Sequence, residues 1–210
     1  MNLLDIVLHL DVHLLQMVAD YGVWIYAVLF AIIFCETGLV VTPFLPGDSL
    51  LFVAGAIAAG GQLDAHVLFM SLAAAAFLGN LVNYSIGRLL GKRFFTKRGS
   101  RWLNPAHLAK ANAFYNRHGG SAVVISRFLP IIRTYVPFVA GLAVMDARKY
   151  AAFNAVGAVL WVGALTYAGY FFGNIPWIRG NLTAIIVGIV AVSLIPLAWA
   201  LLKKPGRAKA

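Results

Sequence analysis

Two arginines and two prolines lie in an apolar stretch, residues 121–145, that is otherwise suited to a lipid bilayer. The arginines are Arg127 and Arg133, and the prolines are Pro130 and Pro137. An arginine at bilayer depth costs roughly 2.5–3.5 kcal/mol on insertion scales, so it is normally paired or lines a wet cavity. Each proline removes a backbone donor and disfavours helix in the residue before it. The stretch therefore predicts a broken, re-entrant hairpin with its guanidinium groups in a polar cavity, which suits an anionic ligand.

Two carboxylates lie in or beside apolar sequence nearer the N-terminus. Glu36 follows an apolar run, and Asp48 lies in a second predicted hairpin, residues 37–61, which Pro43 and Pro46 interrupt. Burial and a nearby arginine act in opposite directions on the proton affinity of a carboxyl group, so both acids are candidate proton carriers. Two structural alternatives stay open. Asp48 could cap the helix that follows it, and both acids could pair with the arginines only to hold the hairpins together.

Other polar side chains are candidates for the wall of the cavity. Asn80, Asn83 and Tyr84 could line it together with Pro46, Pro130 and Pro137, although interhelical hydrogen bonding explains the first three equally well. Trp161 is interpreted as an interface anchor or a packing residue. The histidines show no metal-ligand spacing, and no nucleophile-and-base pattern accompanies Arg127. We therefore expect no metal, no cofactor and no enzymatic activity.

Composition indicates a polytopic membrane protein. The 210 residues are 61% hydrophobic and only 11% charged, with a net charge of +10. The basic residues concentrate in residues 88–117 and in the tail, and neither segment contains an acid. Such clusters beside apolar segments mark the cytoplasmic side of a membrane rather than a nucleic-acid interface. The single Cys35 excludes an intramolecular disulfide, and the N-terminus lacks a signal peptide, so we expect it to be retained.

The predicted organisation is all-α, with one membrane domain over residues 21–202. An amphipathic, interfacial helix precedes it at residues 1–20, a basic amphipathic segment lies at 92–118, and a basic tail follows at 203–210. Full membrane crossings are predicted at residues 21–35, 66–90, 149–173 and 182–202.

An internal repeat relates the two hairpins. The segment FLPGDSLLFVAGAIA from Phe44 is similar to FLPIIRTYVPFVAGLAV from Phe128, and each precedes a helix with a tyrosine and a Gly-x-x-x-Gly pair. Because one crossing separates the hairpins, they enter the membrane from opposite faces. Two inverted units, each with a proline-broken re-entrant hairpin and a transmembrane helix, are typical of carriers with a site near the midplane. This scheme places the basic segments on one face and both termini in the cytoplasm.

Several motifs in the chain resemble those of the DedA family, also called the SNARE-associated or VTT-domain family. They are F-x-E-x-G at Glu36, FLPGDSLLFVAG from Phe44, G-N-x-x-x-Y-x-I-G-R-x-x-G from Gly79, and RHGG-x6-RF-x-P-x-x-RT-x-x-P-x-x-AG-x-x-x-M from Arg117. The resemblance covers residues 36–173. It implies a multi-pass protein of the bacterial inner membrane with two facing re-entrant loops. One departure is Asn80, where many members carry aspartate.

The resemblance also implies a function: transport of undecaprenyl phosphate or a related anionic phospholipid between leaflets, dependent on the proton gradient. The functional residues that it implies are Glu36, Asp48, Arg127 and Arg133. The expected partners are therefore membrane lipids and protons. A proton-coupled small-cation antiporter and a passive phospholipid scramblase are the alternatives. The lipid, the direction of transport and the oligomeric state, for which a homodimer is one option, stay open.

Overall fold

A computed structural model describes residues 10–39, 47–96, 120–181, 184–185 and 187–189. All of the elements in these ranges are helices. They are α1 (Leu10–Tyr21), α2 (Trp24–Gly38), α3 (Gly47–Ala59), α4 (Ala65–Thr96), α5 (Ser121–Ser126), α6 (Pro130–Leu142), α7 (Ala147–Phe172) and α8 (Pro176–Gly180). The predicted all-α class is confirmed for the described residues. Outside these ranges lie Pro43 and Pro46, most of the basic segment, most of the predicted last crossing and both ends of the chain.

Within the described ranges, two helices are long and apolar enough to cross a membrane. They cover Ala65–Leu90, within α4, and Ala147–Phe172, which is α7, with 26 residues each. At 1.5 Å per residue each spans about 39 Å, compared with about 30 Å for a bilayer core. The predicted crossings at 66–90 and 149–173 agree with these helices to within two residues.

The long helices α4 and α7 run antiparallel and define the two ends of the bundle. At the upper end, where α4 begins and α7 ends, His66 Nδ1 lies 2.8 Å from the hydroxyl of Tyr167. At the lower end, where α7 begins, the Tyr150 hydroxyl donates to the carbonyl of Asn80 at 3.1 Å. The basic residues Arg88, Arg148 and Lys149 lie towards this lower end, at the matching ends of α4 and α7.

The structure differs from the predicted full crossing at residues 21–35. Helix α2 has 15 residues and spans only about 22 Å. It begins at the upper end, where the Tyr26 hydroxyl accepts from Asp64 N at 2.7 Å. It ends beside the middle of α4, where a Cβ atom added to Gly38 would lie 3.3 Å from Gly79 Cα. Because α2 reaches only halfway along α4, it gives no support to a cytoplasmic N-terminus, which stays a prediction.

The first short arm, α3, returns from the middle of the bundle to the upper end. Its first residue, Gly47, lies against the side chain of Glu36 at the end of α2. Further along, Gly55 packs on the backbone of Thr166 and Tyr170 near the end of α7. Helices α2 and α3 thus form a hairpin that opens at the upper end.

Helices α5 and α6 form a second hairpin that opens at the lower end. Proceeding along α5, Gly120 lies against Phe153 and Val124 lies against Gly157, so α5 runs inward along α7. The chain then turns, and α6 runs outward along α4 until Gly141 packs on the backbone of Tyr84. The two hairpins therefore open at opposite ends of the bundle.

The break between α5 and α6 follows from Pro130, as the sequence predicts. Leu129 is extended, with φ −115° and ψ 102°, and Pro130 occupies the first position of α6. Pro137 behaves differently, because α6 continues past it to Leu142. The prediction that both prolines interrupt the hairpin is therefore right for Pro130 only. Pro137 removes one helical hydrogen bond without ending the helix.

Glycines bring the backbones of the short arms and the long helices into direct contact. At the crossing of α3 and α7, a Cβ atom on Gly169 would overlap the carbonyl of Phe52. At the crossing of α6 and α4, a Cβ atom on Gly87 would overlap the carbonyl of Phe138. Both phenylalanines begin the sequence FVAG. The short arm of each hairpin thus packs on the long helix that follows the other hairpin, and small residues at these crossings allow the close approach.

The loop from α6 to α7 holds a β-branched residue in a left-handed conformation. Val144 has φ +54°, and hydrogen bonds from Val144 N to Gly141 O (3.0 Å) and from Met145 N to Ala140 O (3.1 Å) close the end of α6. This is the position at which helices normally carry glycine, and a side chain there costs about 1–2 kcal/mol. We expect Val144→Gly to raise the free energy of unfolding by about 1 kcal/mol.

Thermal unfolding in detergent micelles would measure the effect of Val144→Gly. Val156→Gly is the matched control, because Val156 is exposed in the interior of α7 and its backbone is right-handed. The control should lower the unfolding temperature. A Val144→Gly variant that loses stability as the control does would contradict the assignment of strain.

Candidate functional site

Arg133 joins the two hairpins through two carboxylates. Its Nη2 donates to Glu36 Oε1, at the end of α2, and its Nη1 donates to Asp48 Oδ1, at the start of α3, at 2.6 Å. The side chain of Glu36 is fully buried, and those of Arg133 and Asp48 are 7% and 17% exposed. Two acids thus share one guanidinium in the middle of the bundle, as the sequence predicts for these three residues.

Trp161 of α7 completes this cluster. Its indole Nε1 donates to Asp48 Oδ1 at 3.0 Å, and the Cζ atom of Arg133 lies 4.8 Å from the centre of its ring. The side chain is 2% exposed. We call Glu36, Asp48, Arg133 and Trp161 the charged cluster. The packing alternative for Trp161 is confirmed, and the interface-anchor alternative is wrong, because the residue is buried near the middle of its helix.

A glycine makes room for the buried carboxylate. A Cβ atom added to Gly47 would overlap the carboxylate of Glu36. The Gly-Asp pair at the start of α3 therefore has two roles: Gly47 leaves space for the Glu36 carboxylate, and Asp48 binds Arg133. The first of these roles is not apparent from the sequence, because it depends on a contact between two helices.

Arg127 has different partners, and it donates to neutral oxygens. Its Nη2 donates to Asn154 Oδ1 at 2.5 Å and to the carbonyl of Ala76 at 3.2 Å. With the Asn80 amide oriented to match its neighbours, its oxygen accepts from Arg127 at 2.9 Å and its nitrogen donates to the carbonyl of Thr37 at 3.2 Å. No carboxylate in the described part of the chain pairs with Arg127. Pairing with the acids is therefore right for Arg133 and wrong for Arg127.

Asn83 links the two hairpins to α4. Its amide nitrogen donates to the carbonyl of Thr37, at the end of α2, at 3.2 Å and to that of Thr134, in α6, at 2.9 Å. For Asn80 and Asn83, interhelical hydrogen bonding is thus the interpretation that the structure supports.

The remaining predicted wall residues lie lower in the bundle or outside the described side chains. The hydroxyl of Tyr84 donates to the carbonyl of Met145 at 2.5 Å and accepts from Arg88 at 2.8 Å, and its ring stacks on Tyr150. Tyr84 therefore connects α4 to the start of α7 and to the residues just before it. Pro137 is buried, while the side chain of Pro130 and the whole of Pro46 lie outside the described part.

Comparison with known proteins agrees with the motifs. The profile of the VTT domain matches residues 45–171. The protein DedA of Escherichia coli K12 is 54% identical over 196 residues, which are 92% of this chain and 90% of that protein. The chain belongs to the DedA family. No solved structure matches it.

More distant DedA-family relatives are named as membrane proteins. An uncharacterized membrane protein of Mycobacterium leprae is 46% identical over 79% of this chain and 74% of its own length. The inner membrane protein YqjA of Escherichia coli K12 is 40% identical over 72% of this chain and 69% of its own length. This DedA-family chain is a membrane protein, in agreement with the names of these relatives and with its two long apolar helices.

Two members of the site in this DedA-family protein were not predicted. Asn154 holds Arg127, and its own amide nitrogen donates to the carbonyl of Phe77 at 3.0 Å. Trp161 contacts Asp48 and Arg133. The sequence carries a signal for both, because an amide or an indole N–H far from either end of an apolar helix needs a buried partner.

We expect Asn154→Ala to destabilise this DedA-family protein by about 2–3 kcal/mol, because it removes an acceptor from a buried, charged guanidinium. The measurement is thermal unfolding in detergent. Asn181→Ala is the control, since Asn181 is exposed and, among the described residues, its side chain bonds the carbonyl of Trp177 in its own turn. Equal unfolding temperatures for the two variants would show that Asn154 is not needed to hold Arg127.

Proposed function

We propose that this protein is a proton-motive-force-dependent lipid transporter of the bacterial inner membrane. Its substrate is undecaprenyl phosphate or a related anionic phospholipid, which it moves between leaflets as a carrier and not as an enzyme. The observation that carries the proposal is the bond from Arg133, on one hairpin, to Glu36 and Asp48, on the other.

The charged cluster suits exchange between carboxylate and phosphate. A guanidinium offers a fork of donors that matches phosphate oxygens as well as carboxylate oxygens. Within the described part, Arg133 Nε has no hydrogen-bond partner, so this guanidinium retains a donor beyond the two bonds to the acids. Protonation of Glu36 or Asp48 weakens its bond to Arg133 and makes the guanidinium available to a phosphate. Proton uptake and substrate binding are thereby linked.

The arrangement of the hairpins supports alternating access. The hairpin of α2 and α3 opens at the upper end, and that of α5 and α6 opens at the lower end. The two backbone crossings involve the same FVAG sequence, which supports two inverted repeats with re-entrant hairpins. A site where two such hairpins meet is typical of secondary carriers. The basic lower end is assigned to the cytoplasm.

The surface beside the cluster suits a substrate with a hydrocarbon chain. A groove of about 240 Å³ lies between α5 and α6 and is lined almost entirely by apolar side chains. Two of the residues that line the groove, Ile125 and Ile132, are 61% and 45% exposed, and Phe128 in the turn between the two helices is 53% exposed. A small cation needs no such surface, and both acids of the cluster are already bound to Arg133. These features favour a lipid anion over a cation.

Reconstitution with labelled substrates tests the proposal. Vesicles would receive labelled undecaprenyl phosphate or one of several phospholipids, with and without an imposed pH gradient. We expect movement of undecaprenyl phosphate or an anionic phospholipid that rises with the gradient. Equal movement of all lipids without a gradient would favour a scramblase. Cation flux in vesicles without labelled lipid would favour an antiporter, and release of inorganic phosphate would indicate an enzyme.

A further inference from the structure

Trp161 contacts an acid from one hairpin and the arginine from the other. Its N–H donates to Asp48 Oδ1 at 3.0 Å, and the guanidinium of Arg133 lies over its ring at 4.8 Å. The residue belongs to neither hairpin, because it lies on the long helix α7. It therefore holds both members of the ion pair from a third element of the bundle.

Each contact of Trp161 is independent of the ion pair itself. When the bond between Arg133 and Asp48 breaks, the indole N–H can still donate to the carboxylate, and the ring face can still attract the guanidinium. Separating the partners of a buried ion pair weakens the compensation of both charges, and this loss is the main cost of opening a buried salt bridge. Trp161 reduces this penalty for both partners at once.

We infer that Trp161 is a positioning residue that keeps Asp48 and Arg133 in place while an anionic lipid headgroup exchanges with the carboxylate. This inference rests on the proposed function. In this role the ring face of Trp161 holds Arg133, which binds the phosphate. The indole N–H holds Asp48, which exchanges the proton. The two contacts can be removed separately, because phenylalanine retains a ring face and leucine retains neither contact.

The transport arm of the test uses Trp161→Phe, Trp161→Leu and Val162→Ala in vesicles with labelled undecaprenyl phosphate. Val162 is the next residue of α7, is fully buried, and lies in the apolar core. We expect Trp161→Phe to lower the maximal rate about tenfold with KM within about twofold of wild type, since only the bond to Asp48 is lost. Trp161→Leu should also raise KM about tenfold. The control should leave KM unchanged.

A purely structural role predicts a different pattern. Loss of packing reduces the fraction of folded protein, so it lowers the maximal rate of Trp161→Leu and Val162→Ala together and leaves KM unchanged. That outcome would overturn the inference. A Trp161→Phe variant with the maximal rate of wild type would overturn the role of the N–H.

A second arm does not depend on transport. Thermal unfolding of Trp161→Phe, Asp48→Ala and the double variant forms a double-mutant cycle, because alanine has no acceptor for the indole N–H. We expect the double variant to lose clearly less than the sum of the two single shifts, and additive shifts would contradict the contact. A wild-type protein that moves no lipid overturns the proposed function alone. Coupled shifts in that protein would still support Trp161 as the residue that positions the ion pair.

Discussion

Vesicles that contain an Arg133→Ala variant should move undecaprenyl phosphate no faster than vesicles without protein. The substitution removes the guanidinium that bonds both Glu36 and Asp48, and it leaves the fully buried Glu36 without this counter-ion. Breaking a buried pair in this way destabilises a protein by about 3–5 kcal/mol. We therefore expect loss of transport together with a lower unfolding temperature, measured on protein recovered from the same vesicles.

Two further variants separate the loss of transport from the loss of stability. Arg133→Lys keeps the charge but loses the planar fork, so it should insert and fold while its transport rate falls by about tenfold or more. The neutral combination Glu36→Gln, Asp48→Asn and Arg133→Gln retains polar side chains without buried charge, and we expect it to fold and to be inactive. Full activity in a folded Arg133→Ala variant would exclude the charged cluster as the substrate site.

Gly169→Ala and Gly87→Ala should each lower the free energy of unfolding by about 3 kcal/mol, which is roughly 5–10 °C in unfolding temperature. In both positions the new methyl group would enter a backbone carbonyl of the opposite short arm, Phe52 for Gly169 and Phe138 for Gly87. A backbone cannot move aside as a side chain can. We expect the two losses to be similar, because both crossings use the same contact.

Gly163→Ala is the matched control for these substitutions. It lies in α7, six residues before Gly169, and a Cβ atom there would meet only the ring of Phe69 at 3.3 Å. Because alanine favours helix over glycine by about 1 kcal/mol, the control should be neutral or slightly stabilising. Thermal unfolding of the three purified variants measures the difference. If all three behave alike, the close backbone crossings do not determine stability.

The helical class, the two long helices and the break at Pro130 could be predicted from the sequence, because apolar runs and proline act locally. The length of α2 could not be predicted from the sequence. Its apolar residues are equally suited to a full crossing and to a half-length arm, and the contact of Gly38 with Gly79 decides between them. The effect of Pro137 could not be predicted either, because a proline inside a packed helix removes one hydrogen bond without necessarily ending the helix, and α6 continues past it to Leu142.

The candidate site could be predicted in part. The meeting of Glu36, Asp48 and Arg133 follows from the high cost of unpaired charge in an apolar bundle. The same reasoning fails for Arg127, because amide and carbonyl oxygens from Asn154, Asn80 and Ala76 satisfy a guanidinium without any acid. Which acceptor an arginine finds depends on the tertiary packing of α4 against α7, and no spacing in the sequence encodes it.

The short arm of each half of the chain, α2–α4 and α5–α7, packs on the long helix of the other half. This arrangement restricts how the molecule can be divided. A chain with only α2, α3 and α4 would lack α7, the helix on which α3 packs. A chain with only α5, α6 and α7 would likewise lack α4, the helix on which α6 packs. Two copies of one half, inserted into the bilayer with opposite orientations, would restore both backbone contacts. A working half-length form of this protein would therefore need to insert in both directions in the same membrane.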